Sequence, residues 1–169
     1  LMSAACKSSF DSAVNRALSQ LDSGMTPMEK ALVLHDYLVV NCAYNWAVAT
    51  TGNDGGNKVV YSAYGALVNG DAVCQGYALA YKYLLNRAGI QAILISSNAL
   101  NHAWNLVELN GKWYHVDVTW DDPVPDFSGQ CSHDNFLRSH DGILATGHGK
   151  KAIDWKPSQD CSDDSYASG

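Results

Sequence analysis

Apolar positions along the first half of the chain recur with helical spacing. Phe10, Val14, Ala17, Leu18 and Leu21 form one stripe and predict an amphipathic helix over residues 8–21, ended by Asp22-Ser23-Gly24. Thr26-Pro27-Met28-Glu29 is a helix start: a capping threonine, a proline at the first helical position, and a glutamate three residues after the cap. The helix it opens, residues 27–41, carries Ala31, Leu34 and Leu38 on one face. Leu32, Val33, Val39 and Val40 widen that face, so burial is expected. His35 falls near the apolar side and reads as a satisfied core or boundary histidine, with no partner at ligand spacing. A third stripe, Tyr77, Tyr81, Leu84, Leu85 and Ala88, marks a helix that begins immediately after Cys74 and stops at Gly89. Residues 41–58, rich in Thr, Gly and Asn, read as a loop long enough to border a site, with Tyr44 and Trp46 as cleft-lining or packing aromatics.

After Gly89 the period falls to that of strands. Residues 91–96 (QAILIS) and 103–109 (AWNLVEL) have strand character. Asn110-Gly111 is a two-residue hairpin signal, and residues 112–119 (KWYHVDVT) return as the partner strand. With Asn110 and Gly111 as the turn, Leu109 faces Lys112, Asn105 faces Val116 and Trp104 faces Asp117. Residues 121–129 form a turn-rich loop, Phe136 and Leu137 a short apolar anchor, and residues 139–149 show no period. The acidic, Ser-rich tail after Pro157 reads as surface. Helices followed by antiparallel strands predict an α+β fold. The expected organisation is a single domain over residues 1–169: N-terminal helices over 8–42, a core over 59–122 and an irregular part over 123–169.

Composition narrows the function classes. At 169 residues, with 47% hydrophobic and 17% charged content, the chain can bury a sizeable core. A net charge of −6 and the lack of any Lys/Arg run argue against a nucleic-acid partner or an anionic membrane surface. The longest apolar patch, residues 31–40, is interrupted by His35 and Asp36 and is too short to span a bilayer. No signal peptide is visible, and Leu1-Met2-Ser3 reads as the start of either a mature product or a trimmed chain, which allows a natural N-terminus upstream. None of the five cysteines forms a C-x-x-C pair. If Cys74 stays free for chemistry, Cys6, Cys42, Cys131 and Cys161 remain. One or two disulfides among them, in a secreted or cell-surface protein, stand against four reduced structural cysteines.

Three residues carry candidate chemistry. Cys74 opens a helix whose unpaired N–H groups and positive dipole end favour a thiolate over a thiol; the alternative is a small residue packed where the helix meets its neighbour. His102 starts the first hairpin strand, and Asp117 lies in the returning one. The hairpin register puts them on one sheet face at a diagonal offset, about 7–8 Å at the backbone, within reach of a histidine–carboxylate hydrogen bond. A thiol beside such a pair is what a cysteine hydrolase or acyltransferase needs. The imidazole takes the thiol proton and returns one to a leaving group, while the carboxylate holds the ring. A purely structural His102–Asp117 pair is the competing reading. Contact with Cys74 further requires the helix N-terminus to pack against that sheet face.

The segments GDAVCQGYA, NHAWN and WYHVDVTWDDP, in that order, resemble the three motifs of the transglutaminase-like superfamily, in the bacterial branch close to transglutaminase-core and kyphoscoliosis-peptidase-type domains. The similarity runs over about residues 27–137 and is densest over 61–123. The resemblance implies a papain-like/transglutaminase-core α+β fold with the nucleophile helix packed on an antiparallel sheet. It also implies Cys74 as nucleophile, His102 as base and acid, and Asp117 as orienter. The Cys74 N–H is one oxyanion donor under this reading. Tyr64 is a candidate second donor, against a packed aromatic. Gln75 and Trp104 are further oxyanion or cleft candidates, and Trp120 flanks the last motif. Trp46 does not align clearly with the indole donor that transglutaminases place upstream of the cysteine.

The expected reaction is acyl transfer on a protein or peptide amide through a thioester, as peptidase, amidase or transglutaminase, with cell-wall peptide among the substrates considered. The alternative is a catalytically idle binding or cell-surface scaffold module of the same fold. A zinc site on Cys74, His102 and His133 or His148 matches no compact ligand set, and no calcium-loop pattern appears; neither metal nor cofactor is expected.

Overall fold

The computed structural model describes residues 2–123 and 130–167. Ser3 caps the first helix, α1 (Ala4–Leu18), by accepting from the Cys6 N–H at 3.2 Å. The helix begins and ends earlier than the apolar stripe predicts, because that cap lies upstream of the first apolar position. Helix α2 (Pro27–Asn41) opens on a complete capping box. Thr26 Oγ1 accepts from the Glu29 N–H at 3.2 Å, and the Glu29 carboxylate accepts from the Thr26 N–H at 2.7 Å.

The stretch expected to be a plain loop is ordered. Ala43 and Tyr44 form β1, which pairs in parallel with β2 (Asp71–Ala72), and Trp46–Thr51 form the short helix α3. A 3-10 turn over Lys58–Tyr61 and a wide helical turn over Gly65–Asn69 lead into β2. Helix α4 (Cys74–Arg87) follows at once and buries Tyr77, Ala80, Tyr81, Leu84 and Leu85. Tyr81 donates to the Ala31 carbonyl at 2.8 Å. The Tyr77 hydroxyl lies 2.9 Å from the Cys42 carbonyl and 2.5 Å from the Asp122 carboxylate, so α4 is pinned to both ends of its neighbours.

Strands β3 (Ala92–Ser97), β4 (His102–Leu109) and β5 (Lys112–Val116) form an antiparallel sheet in that order. Asn110 and Gly111 both take positive φ, 54° and 81°, as a two-residue hairpin of this hand requires. Leu109 faces Lys112 and Asn105 faces Val116, the register read from the sequence. The return strand is shorter than expected. It stops at Val116, and Asp117 caps the one-turn helix α5 (Val118–Asp121), accepting from the Trp120 N–H at 3.1 Å. An aspartate three residues before an unpaired N–H satisfies a helix start better than it continues a ladder.

Helix α4 covers the sheet face bearing Asn105, Val107 and Leu109, and Asn105 Nδ2 donates to the Ala78 carbonyl of α4 at 3.0 Å. Trp104 and Leu106 point the other way, into a second apolar cluster with Ile95, Ile143 and Trp155. The C-terminal part contributes helix α6 (His140–Ile143) and a wide turn over Leu144–His148. Most of the turn-rich loop expected at 121–129 lies outside the described residues.

No disulfide is present among the described residues. The four cysteines expected to pair sit apart: Cys6 on α1, Cys42 in the main core, Cys131 beside His35 and His133, and Cys161 in the second cluster. The disulfide expectation is therefore not met, and the extracytoplasmic placement loses the argument built on it.

Candidate active site

The local sequence delivers Cys74 to the first position of α4, with Val73 as its cap residue in extended backbone. Two glycines let the surrounding chain close in. Gly70 takes φ 64° at the turn before β2. A Cβ on Gly76 would stand 2.7 Å from the Val60 carbonyl oxygen and 2.8 Å from Ala72 Cβ, so only glycine allows α4 to start this near the preceding turn.

His102 shares the strand parity of Trp104 and so belongs to the face turned away from α4. It meets Cys74 around the end of the sheet, as the first residue of β4, and not through the face that α4 covers. That differs from the face-on packing expected, yet both residues line one cleft, and Cys74 is among the groups that raise the His102 pKa. On its other side His102 Nε2 donates to Asp117 Oδ2 at 2.5 Å. Asp117 is fully buried and His102 is 8% exposed.

A third group completes this network. His148 Nε2 donates to the same Asp117 oxygen at 2.7 Å, and the ring is buried. The His102 ring is stacked between Trp104, at 5.7 Å between centroids, and Trp120, at 5.0 Å. Trp120 also lies 4.0 Å from the His148 ring. Burial alone would pull the His102 pKa down. The charge and hydrogen bond of Asp117, with a smaller contribution from Cys74, overcome that and push it up to about 10. Burial acts against the Asp117 charge too, yet His102 and His148 hold its pKa down to about 2.

The remaining sequence candidates divide. Gln75 lines the cleft beside Cys74. Trp104 stands behind His102, and its indole N–H is donated to His115 Nδ1 at 2.9 Å, so it is not a donor toward the cleft. Tyr64 is not among the cleft-lining residues. It stacks on Phe10 of α1, away from the cleft, which counts against it as an oxyanion donor. Tyr44 occupies the cleft instead, held beside the nucleophile segment by the β1–β2 pairing, in which it faces Ala72. Burial first, then the charges of Cys74 and Asp117, push the Tyr44 pKa up to about 12, so its hydroxyl remains a proton donor at neutral pH. Trp46 is exposed and packs edge-on against Tyr44.

The cleft has a volume of about 410 Å³. One wall is mainly apolar (Tyr44, Val48, Ala49, Tyr61, Val73), and the other is polar, from the end of β3 (Ser96, Ser97) and the turn to β4 (Asn98, Asn101). Sequence reasoning leaves Tyr44 between a cleft-lining and a packing aromatic and places His148 only in a disfavoured zinc set; the structure brings both to the site. For His148 no local signal existed. For Tyr44 the signal was an aromatic at the edge of a loop that bordered a site.

A thiol at a helix start, an imidazole at a strand start and a buried carboxylate behind it define the thiol-nucleophile class of α+β domains, that of cysteine peptidases and acyltransferases. The family description "Transglutaminase-like superfamily" matches residues 15–118, more than half of the chain, and the chain belongs to that superfamily. The kyphoscoliosis peptidases of Mus musculus and Homo sapiens are each 31% identical to it, over a match covering 31% of this chain and 10% of theirs. The chain thus spans about a tenth of the length of these relatives. A crystal structure of a TGase superposes with a TM-score of 0.56 at 18% identity, over 68% of this chain and 31% of that one. That likeness carries the fold.

Proposed function

We propose that the chain is a thiol-dependent acyl-transfer enzyme acting on protein or peptide amides, with Cys74 as nucleophile, His102 as base and acid, and Asp117 as orienter. The observation that supports this best is that Cys74 and His102 line one cleft, with the His102 ring donating to a fully buried Asp117.

In this reading His102 holds the proton that Cys74 gives up, and the sulfur attacks the amide carbonyl carbon. The carbonyl oxygen takes the electron pair and faces two donors, the N–H at the start of α4 and the Tyr44 hydroxyl. Collapse of the adduct breaks the C–N bond, and the amine leaves with the proton from His102. A thioester remains on Cys74. Water or a second amine then attacks it, His102 takes the attacking group's proton, and the sulfur departs. Asp117 keeps the His102 proton on Nε2, which turns Nδ1 toward the sulfur.

The test compares wild type with Cys74→Ala on glutaminyl peptides, with and without an amine acceptor, and follows iodoacetamide labelling of Cys74. Turnover that depends on Cys74, with labelling slowed by His102→Ala, is the expected result. Labelling of Cys74 that is indifferent to His102→Ala, together with no turnover, would refute the reading and leave the idle scaffold.

A further inference from the structure

We propose that His35, Asp36, Cys131 and His133 form a tetrahedral site for a zinc ion that ties α2 to the chain following α5. The four donor atoms come from two segments far apart in sequence and lie within 4.8 Å of one another. Cys131 Sγ is 3.8 Å from His35 Nδ1, 3.7 Å from His133 Nε2 and 3.3 Å from Asp36 Oδ1. Asp36 Oδ1 is 2.8 Å from His35 Nδ1 and 2.7 Å from His133 Nε2. Standard zinc bond lengths put the edges of such a tetrahedron at roughly 3.3–3.6 Å. The sulfur edges are already close to that. The two Asp36 edges are contracted into hydrogen bonds, and the half-exposed Asp36 carboxylate has room to open them.

The second observation is the setting of His35. Its ring is fully buried, and its far nitrogen, Nε2, lies 3.0 Å from Asp121 Oδ2, itself fully buried. Asp121 Oδ1 in turn accepts from the Asn135 N–H and side-chain amide, each at 3.0 Å. A carboxylate behind a histidine, itself fixed by further donors, holds the proton on Nε2 and aims the Nδ1 lone pair at a metal. A sulfur, two imidazoles and one carboxylate in closed four-coordination suit zinc, and a closed set marks a structural ion. Loading displaces the Cys131 thiol proton and the protons that His35 Nδ1 and His133 Nε2 each share with Asp36. The first two pass to solvent, the third moves to the outer His133 nitrogen, Nδ1, and no electron moves.

A neighbouring cluster shows what disqualifies a site. His115, His140 and Cys161 also converge, but Trp104 donates to His115 Nδ1, so the His115 proton sits on Nε2, the atom facing His140. That nitrogen has no lone pair to give.

The site lies next to α5. Ser132 N–H donates to the Asp121 carbonyl at 3.0 Å, and Asp121 N–H reaches the Asp117 carbonyl at 3.3 Å. The ion would brace the turn that carries Asp117. The proposal does not depend on Cys74 acting as a nucleophile.

The experiment uses the full chain, purified without chelators. Elemental analysis is expected to find about one zinc per chain, and chelation to lower Tm by roughly 5–10 °C. Cobalt(II) added to the chelated protein is expected to give tetrahedral d–d absorption with a thiolate-to-cobalt charge-transfer band. Cys131→Ser, at a partly exposed position, should abolish that band, and His133→Gln should weaken metal affinity at least tenfold. Cys74→Ser should leave both unchanged. No stoichiometric metal and no charge-transfer band in wild type, or a band that survives Cys131→Ser, would overturn the proposal. Far-UV circular dichroism of Cys131→Ser and His133→Gln separates loss of metal from loss of fold.

Discussion

Asp117→Asn isolates the charge at the centre of the site. The asparagine keeps one oxygen to cap α5, but its amide group replaces the oxygen that accepts from His102 and His148, and it carries no charge. In wild type the His102 pKa stands at about 10 against an ordinary 6.5, which favours the buried imidazolium by on the order of 5 kcal/mol. Seen from Asp117 the displacement is smaller, from 3.8 to about 2, on the order of 2 kcal/mol. The two differ because Asp117 is more deeply buried and because His102 also draws on Cys74. They describe one shared interaction and are not summed. The expected loss of stability in Asp117→Asn at pH 6 is therefore about 2–5 kcal/mol, read by urea denaturation.

The sign sets the pH window. His102 is raised, so its contribution is complete below 6.5 and disappears as pH rises through about 10. Asp117 is lowered, so its contribution is complete above 3.8 and disappears as pH falls through about 2. The gap between wild type and variant is widest between these limits and narrows on both sides. Histidine NMR gives the sharper reading. Without the Asp117 charge, burial dominates, and the His102 midpoint is expected below its ordinary value. Turnover should fall by about 10³–10⁴-fold, the scale of the corresponding change in a serine triad. A His102 midpoint unmoved by Asp117→Asn would refute the reasoning.

His148→Gln weakens the second hydrogen bond to Asp117, and kcat should fall about tenfold at unchanged KM, with a higher His102 midpoint by NMR because the Asp117 charge is less compensated. Tyr44→Phe removes one hydroxyl from the cleft; kcat should fall by about 10²-fold while iodoacetamide still labels Cys74 at the wild-type rate. Gly76→Ala drives a Cβ against the Val60 carbonyl and Ala72, and urea denaturation should show a loss of about 1–3 kcal/mol.

Elements whose determinants are local were legible in the sequence. The capping box at Thr26 and Glu29 opens α2, Gly89 with φ 82° follows the end of α4, and Asn110-Gly111 sets the hairpin register. From that register followed the closeness of His102 and Asp117. Strand β1 was not legible, because two residues show no period and its partner is β2, far along the chain. The return strand was overextended because Val-Asp-Val-Thr alternates like a strand, and the capping preference of Asp117 overrode that alternation. The roles of His148, Cys131 and His133 were not legible for a common reason. Each is brought in by tertiary packing from a segment with no periodic signal, although Cys131-Ser132-His133 did hold two ligand types at close spacing.

The cleft rims have a consequence for how such a domain changes its preferences. One rim is the short helix α3 with the turn before it, the other the turn joining β3 to β4, and neither contributes Cys74 or Asp117. The β3–β4 turn is held at both ends by paired strands, and α3 is held at its start by β1. Exchanging either rim would reshape the groove and leave Cys74 and Asp117 in place, so a single scaffold of this kind can be given a different groove by loop replacement alone.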